Sequence, residues 1–447
     1  MANVIILMTD EHNPKYSSVY GHDGVQTPNM ERLARQGTVY EHAYCASPLC
    51  TPSRAAFMTG KRVHEVQAYS NCAINLDRDS SPSFGKVLAD QGVHTVLIGR
   101  SAQFCGGFSE SYEIKVDTAY TDGGLPRRPN AVREGSAQRA NDYGVKEDAF
   151  SRDLRRMDIA LTWLTEQAPN MQQPWVMVIN VGMPHFPLWS TSEFWEMYEE
   201  GVRLPEYGRD CESAQHPYAA DLRHYFETDQ YTDEQILGLR RGYYGCVSFA
   251  DRQLGRIMDI LEQMSLTGST NLIYTADHGE MLGKFGLWWK SSMHEDSIRV
   301  PCIAAGPDFR SDERVGTPID LLDVQAAIYE SVGLSLPQDR LGTPLQYISG
   351  DDRERVVFSE YQGHAVRSGA FMVRKGDWKL IYNIEAPHQL YHLSQDPEEL
   401  HNVFTQWPDK ALELENELRK ICSPEEEHKK AQAFQDRQMV LFEQMKK

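Results

Sequence analysis

The sequence predicts an α/β fold: a large, mostly parallel sheet sandwiched by helices, with a smaller C-terminal α+β subdomain. Three observations carry this expectation. Short, nearly continuous apolar runs recur along the chain, as in strands buried on both faces. Helical patterns lie between them, giving the strand–helix alternation of an α/β chain. After about residue 350 the texture changes to strand-like segments joined through tight turns.

In chain order, VIILM (4–8) reads as the first strand. It is not read as a signal peptide, because no basic region precedes it and no small-residue cleavage site follows. TPNMERLARQG (27–37) and SFGKVLADQG (83–92) read as helices, and HTVLI (94–98) as the second strand. FSRDLRRMDIALTWLTEQ (150–167) reads as a helix, WVMVINV (175–181) as the third strand, and 233–264 as a long helix. NLIYT (271–275) and VPCIAAG (300–306) complete the strands. The segments 104–150 and 186–235 are irregular, with the texture of lids or pocket walls. Beyond them, RVVFSEY (355–361), AFMVRKGDWKLIYN (370–383, turning at Gly376-Asp377) and HQLYHL (388–393) read as antiparallel strands. DPEELHNV (396–403) reads as a turn into helix. The tail from Ser423 reads as a polar helix with a modest apolar stripe (Ala433, Met439, Leu441, Phe442, Met445). Such a stripe marks either a solvated helix or a homo-oligomer contact. This gives a catalytic α/β domain over 1–350 and an antiparallel-sheet subdomain with a helical tail over 351–447.

The bulk properties narrow the function. The 447 residues carry a formal charge of −19, which argues against a nucleic-acid surface, since that needs clustered Lys and Arg. A small anion is still compatible, because a few buried cations can dominate a pocket. No apolar run reaches membrane-spanning length, so no membrane partner is expected. Eight scattered cysteines do not form a disulfide framework, and the expected compartment is the cytoplasm.

Sites in open α/β sheets form beyond the carboxyl ends of strands. The strand ends here supply Asp10 and Glu11, Arg100, His185, and Asp277 with His278. Carboxylates gathered at a buried edge are costly, and a divalent cation would offset that cost. Asp10, Glu11, Asp277 and His278 form an oxygen-rich donor set that suits Ca²⁺, Mg²⁺ or Mn²⁺, the imidazole tilting the choice away from Ca²⁺. The stretch CTPSR (50–54) opens a helix: Thr51 suits the N-cap, Pro52 the first helical position and Arg54 the third. Cys50 then lies just outside, facing free N–H groups that favour an anion and lower a thiol's pKa. The bland alternative is a small buried cysteine before a capped helix. Thiolate phosphatases place five residues between Cys and Arg, not three, and a zinc site would need more ligands than Cys45 and Cys50.

The pattern Cys50-Thr51-Pro52-Ser53-Arg54 resembles the signature of the type I sulfatases of the alkaline phosphatase superfamily. TPNMERLARQG (27–37), ADHGEMLGKFGLWWKSSMHEDSIRVP (276–301) and YHLSQDPEELHN (391–402) resemble further blocks of that family. TDEH, PHFP and GAFMVRKGDWKLIY are most similar to choline-sulfatase-like members and phosphonate monoester hydrolases. The resemblance implies an alkaline phosphatase-like sheet and oxidation of Cys50 to formylglycine (3-oxoalanine) by a formylglycine-generating enzyme. It implies one divalent cation held by Asp10, Glu11, Asp277, His278 and residue 50. Arg54 would hold the formylglycine hydrate, His185 is a pocket histidine, and Lys290 binds the ester's oxygens. Where the family often reads Gly-Lys-x-His, this chain reads GRSAQF. Arg100 keeps the charge but no histidine follows, so the general-acid duty falls to His185. The implied reaction is hydrolysis of a small-molecule sulfate monoester, one hydroxyl of the hydrate attacking sulfur and the other expelling sulfate. The alternatives are a phosphonate monoester or phosphodiester hydrolase with the same nucleophile, or a binding protein whose cysteine is never oxidised. His294, His64 and His364 are looser pocket candidates, with His294 assigned to substrate. Trp288 and Trp289 suit the core or a wall for a cationic group such as choline, and Tyr361 is a further pocket contributor.

Overall fold

The apolar runs assemble into one eight-stranded sheet. A computed structural model describes residues 1–71, 79–99, 104–112 and 131–445. The strands follow the spatial order Glu313–Val315, Gly37–Tyr40, Cys302–Ala305, Thr270–Ala276, Asn3–Asp10, Trp175–Pro184, His94–Ile98, Glu110–Tyr112. Asn3–Asp10 is central and parallel to both neighbours, Val4 pairing with Val176 on one side and Asn271 on the other. Its residues alternate between two cores, because successive strand side chains point to opposite faces. Val4, Ile6 and Met8 join one core, and Ile5 and Leu7 the other. Helices Pro28–Gln36, Ser151–Glu166 and Asp233–Gln263 supply Leu33, Met157, Leu164, Leu254 and Ile257 to the second core. Helices Cys50–Thr59, Phe84–Asp90 and Leu321–Ser331 supply Phe57, Leu88, Val324 and Ile328 to the first. The sandwich of helices is therefore as expected.

The strand within 300–306 departs from the parallel pattern. Cys302–Ala305 runs antiparallel to both Thr270–Ala276 and Gly37–Tyr40. The chain between Ala276 and Cys302 holds short helical turns and the two-residue strand Arg299–Val300 but no crossover helix, so it re-enters the sheet from the end it left. Gly37 is required at this seam: a Cβ there would lie 2.2 Å from the Ala304 carbonyl oxygen.

The C-terminal strands Val356–Tyr361, Ala370–Lys375, Trp378–Asn383 and Gln389–His392 form an antiparallel meander in sequence order. One face of this sheet (Phe371, Val373, Leu380, Leu390) packs on Leu414 and Leu418 of helix Pro408–Ile421. The other (Met372, Ile381, Tyr391) joins the main core. DPEELHNV does not lead directly into a helix. The Asp396 carboxylate accepts from the N–H groups of Leu400 and His401, which holds a turn, and the helix begins at Pro408. The last helix, Pro424–Met445, buries Ala431 and Phe434 against Ala56, Val63 and Tyr69 of its own chain. Of the expected stripe, Ala433 is exposed and Met439 and Leu441 are half-buried. Among the described residues no helix is long and apolar enough to cross a membrane.

Candidate active site

Cys50 begins the helix Cys50–Thr59 rather than preceding it. The break from extended chain falls at Leu49 (φ −159°, ψ 137°), whose carbonyl accepts the Ser53 N–H at 3.0 Å. Thr51 is therefore not the cap, and its N–H donates to the Asn71 side-chain oxygen at 3.0 Å. Pro52 fits the first turn because an N–H there has no helical partner to lose. The helix is buried over its whole length, which fixes Cys50 and Arg54 against the sheet edge.

Four groups converge at that edge. The donor atoms of Asp10, Cys50, Asp277 and His278 all lie within 4.8 Å of one another, and all four residues are buried. Cys50 Sγ is 3.2 Å from His278 Nε2 and 3.6 Å from Asp10 Oδ1. His278 Nδ1 donates to the Gly279 carbonyl at 3.0 Å, leaving the Nε2 lone pair facing the cluster, the arrangement a metal-binding imidazole needs. Arg54 donates to Asp277 Oδ2 at 2.8 Å, Asp10 Oδ2 at 3.2 Å and Asn180 Oδ1 at 2.6 Å. The outer carboxylate oxygens are thus neutralised by Arg54, while Asp10 Oδ1 and Asp277 Oδ1 stand 3.7 and 3.6 Å from His278 Nε2. Two carboxylates, one imidazole and residue 50 fit a divalent cation with mostly oxygen donors.

Glu11 lies beside this cluster, in a left-handed backbone conformation (φ 71°). It groups with Asp10 and His185 rather than with Cys50. Its Oε2 accepts from Lys290 Nζ at 3.1 Å and stands 3.5 Å from His185 Nε2. Burial pushes the Glu11 carboxyl well above its ordinary range, Lys290 opposing and Glu280 adding to the rise. Burial likewise takes Glu280 up to about 7. Burial acts to raise Asp10 too, but His185, Arg54, Lys290 and His278 hold it far below the usual carboxylate range. Burial and the Lys290 charge hold His185 well below the usual imidazole value. Its Nδ1 donates to the Phe186 carbonyl, so the neutral ring presents its lone pair at Nε2. Lys290 sits between two left-handed residues, Trp289 (φ 64°) and Ser291 (φ 76°), and backbone of this kind concentrates at functional sites. A cavity of about 420 Å³, lined in part by Asp10, Arg54, Asn180, His185 and Phe186, opens onto the cluster.

Asp10, Cys50, Arg54, Asp277 and His278 thus come together, with Glu11, His185 and Lys290 alongside. Arg100, like the Ala102 and Gln103 that follow it, lies outside the described residues. His294 Nδ1 is 3.2 Å from Glu399 Oε2 and its ring packs on Phe285 and Tyr391. His64 pairs with Glu360 at 2.7 Å. His364 stands against Tyr225 and Phe226, and its carbonyl accepts from Tyr361 at 2.8 Å. Trp288 packs on Tyr231, and Trp289 on Phe186 and Phe226. Sequence reasoning missed Asn180 and Glu280. The signal for Asn180 was present: it is the one strongly polar residue inside the run WVMVINV.

Comparison with known proteins agrees with this geometry. The sulfatase family profile matches residues 2–334, and a profile described as N-sulphoglucosamine sulphohydrolase, C-terminal, matches residues 283–425. The chain is 29% identical to a choline-sulfatase of Rhizobium meliloti (strain 1021), covering 90% of this chain and 82% of that protein. It is 26% identical to arylsulfatase K of Gallus gallus, covering 99% and 86%. The crystal structure of a phosphonate monoester hydrolase of Agrobacterium radiobacter superposes with a TM-score of 0.77 at 20% identity, over 94% of this chain and 95% of that one. The chain therefore belongs to the sulfatase family of the alkaline phosphatase superfamily and is a sulfuric ester hydrolase.

Proposed function

We propose that this protein hydrolyses an organic sulfate monoester to an alcohol and inorganic sulfate at residue 50, once a formylglycine-generating enzyme has oxidised Cys50. The observation that carries this reading is the position of Cys50 Sγ, 3.2 Å from His278 Nε2 and 3.6 Å from Asp10 Oδ1. Held by Asp10, Asp277, His278 and residue 50, a divalent cation (Ca²⁺, Mn²⁺ or Mg²⁺) would polarise oxygen, and the formylglycine hydrate would supply the oxygen nucleophile. Arg54 fixes both aspartates and keeps their outer oxygens neutralised. Lys290, its charge favoured by Cys50, Glu11 and Asp10 against the cost of burial, faces the negative oxygens of the ester. His185, neutral in the free site, would take up a proton at Nε2 under the negative charge of the bound ester and pass it to the leaving alcohol, Nδ1 remaining tied to the Phe186 carbonyl. Phe186 and Trp289, with ring centroids 5.2 Å apart, keep this side of the site dry.

Mass spectrometry of the Cys50 peptide from active protein should show sulfur replaced by oxygen with two hydrogens lost, the mass of an aldehyde and not of serine, and Cys50→Ala should abolish turnover. Full activity with an intact thiol would overturn the formylglycine reading. Rates on an aryl sulfate should exceed those on an aryl phenylphosphonate, and the reverse order would make the protein a phosphonate monoester hydrolase.

A further inference from the structure

One cation beside the site has no ion-paired partner among the described residues. Arg139 lies in the short helical turn Ala137–Asn141, within the irregular segment 104–150. Its guanidinium carbon is 4.2 Å from the centroid of the Phe186 ring, 4.8 Å from that of Trp289 and 5.7 Å from that of Phe226. Phe186 is stacked on His185 at 4.3 Å, and Lys290 Nζ stands 5.1 Å from the same Phe186 ring. Arg139 is therefore one aromatic ring away from both side chains assigned to the ester group. Among the described residues its side chain makes no hydrogen bond and no ion pair; its backbone N–H donates to the Ser136 carbonyl at 3.1 Å.

Arg139 is half-buried, and the fully buried guanidinium groups of this protein are treated differently. Arg54 and Arg156 pair with aspartates. Arg240 and Arg340 donate to carbonyl oxygens, and Arg374 to the Gly376 carbonyl and the Tyr44 hydroxyl. A partly desolvated charge without a paired anion carries a cost, and aromatic faces offset only part of it. Burial and the like charge of Arg133 take the Arg139 pKa down to about 9, with Glu11 opposing from a distance, so it stays charged at neutral pH without a paired anion among the described residues.

We propose that Arg139 determines specificity by pairing with an anionic group, a carboxylate or a second sulfate, on the alcohol half of the sulfate ester. The proposal rests on the sulfate-ester reading above. A guanidinium suits this role because its planar fork meets either oxyanion with two hydrogen bonds. A quaternary ammonium alcohol meets the opposite conditions: Arg139 and Arg133 repel it, and Arg139 already covers the Phe186 and Trp289 faces that would receive it.

The test has a binding arm and a turnover arm. Cys50→Ala protein loaded with Mn²⁺ is titrated by calorimetry with 4-nitrophenyl sulfate, 4-carboxyphenyl sulfate, hydroquinone bis-sulfate and choline sulfate. One or both doubly anionic esters should bind about tenfold tighter than the nitrophenyl ester, and choline sulfate should bind most weakly. The tighter of the two identifies the anionic group. Adding Arg139→Gln should collapse that advantage, while Arg139→Lys should keep part of it. In oxidised enzyme, Arg139→Gln should lower the ratio of kcat/KM for the preferred doubly anionic ester over the nitrophenyl ester by about tenfold. Equal losses on both esters, with a lower Tm, would make Arg139 a packing residue and overturn the proposal, as would tightest binding of choline sulfate. Failure of every sulfate ester to bind sinks the sulfate-ester reading together with the proposal. Binding without the expected order sinks the proposal alone.

Discussion

Arg54 reaches groups on three strands from the first turn of a buried helix. Asp10 ends the strand Asn3–Asp10, Asp277 follows Thr270–Ala276, and Asn180 lies within Trp175–Pro184. Arg54→Ala leaves the outer oxygens of two buried carboxylates unpaired. Breaking a buried pair in this way costs about 3–5 kcal/mol. A cation bound at the inner oxygens compensates part of that loss, so urea unfolding should show a larger deficit after chelation than in saturating Mn²⁺. Chelation should also lower the Tm of the unmodified chain, since a ligand at a hundred times its Kd stabilises by about 2.7 kcal/mol. An Arg54→Ala deficit indifferent to chelator would mean that no cation shares these carboxylates. The residues that sequence made legible were those at strand ends or in a spaced motif: Asp10, Asp277, His278, Cys50 and Arg54. Asn180 was hidden because one amide in a long apolar run reads as tolerated polarity. Arg139 was hidden because a missing ion-paired partner leaves no mark in a sequence.

The segment after the Cys50 helix is fastened to the C-terminal sheet by His64. This residue lies in the short helix Val63–Val66, and both its backbone N–H and its Nδ1 reach Glu360 Oε1, at 3.1 and 2.7 Å. Glu360 belongs to the strand Val356–Tyr361, and its own N–H donates to the Ala46 carbonyl just ahead of the Cys50 helix. Burial opposes charge on His64, but the attraction of Glu360 outweighs it and the pKa is raised above 6.5. A folded-state pKa above the unfolded one gives stability that is fully present below pH 6.5 and lost as pH rises through the folded value. His64→Gln should therefore destabilise more at pH 5.5 than at pH 9, as read from urea midpoints at the two values. An equal cost at both would show that the pair contributes hydrogen bonding alone. At this scale the sequence revealed which segments are strands and helices but not every direction. The apolar pattern of VPCIAAG is the same whether the strand runs parallel or antiparallel. Its direction follows from the site loop 277–301, which returns the chain to the end where it left.

The two sheets are joined across the molecule by buried charge. Lys379, fully buried in the strand Trp378–Asn383, donates to Glu295 Oε1 at 2.9 Å and Glu399 Oε1 at 2.7 Å. Glu399 also accepts from the Glu295 N–H at 2.7 Å and stands 3.2 Å from His294 Nδ1. Lys284 continues the network to Asp296 at 2.6 Å and Glu398 at 2.9 Å. Burial acts to raise the Glu399 carboxyl, but Lys379 and His294 hold it well below the ordinary carboxylate range. His294 belongs to this network through a turn that sequence spacing does not reveal. It lies four residues from Lys290, yet the left-handed Ser291 between them (φ 76°) redirects the chain. The loop that carries Lys290 is thus tied to the C-terminal sheet by its own downstream residues. Replacing Lys379 with Met keeps the volume of the stem but removes the ammonium shared by Glu295 and Glu399, leaving them Arg299 at 3.7 Å and His294 at 3.2 Å. The expected cost is about 3–5 kcal/mol, the range for a buried charge that loses its partner. The effect should also be directional, because the apolar cores stay intact while the most buried of the electrostatic links between these parts is gone, His64–Glu360 and Lys284–Glu398 remaining. Calorimetry of the cation-loaded protein should show one cooperative transition for the unmodified chain and, for Lys379→Met, a lower Tm with the endotherm split or broadened. KM should rise in the variant, since Lys290 shares the loosened loop, whereas the stoichiometry of Mn²⁺ bound at Asp10, Asp277 and His278 should not change. A single transition at the original Tm would show that packing between the sheets, not this network, makes the molecule melt as one body.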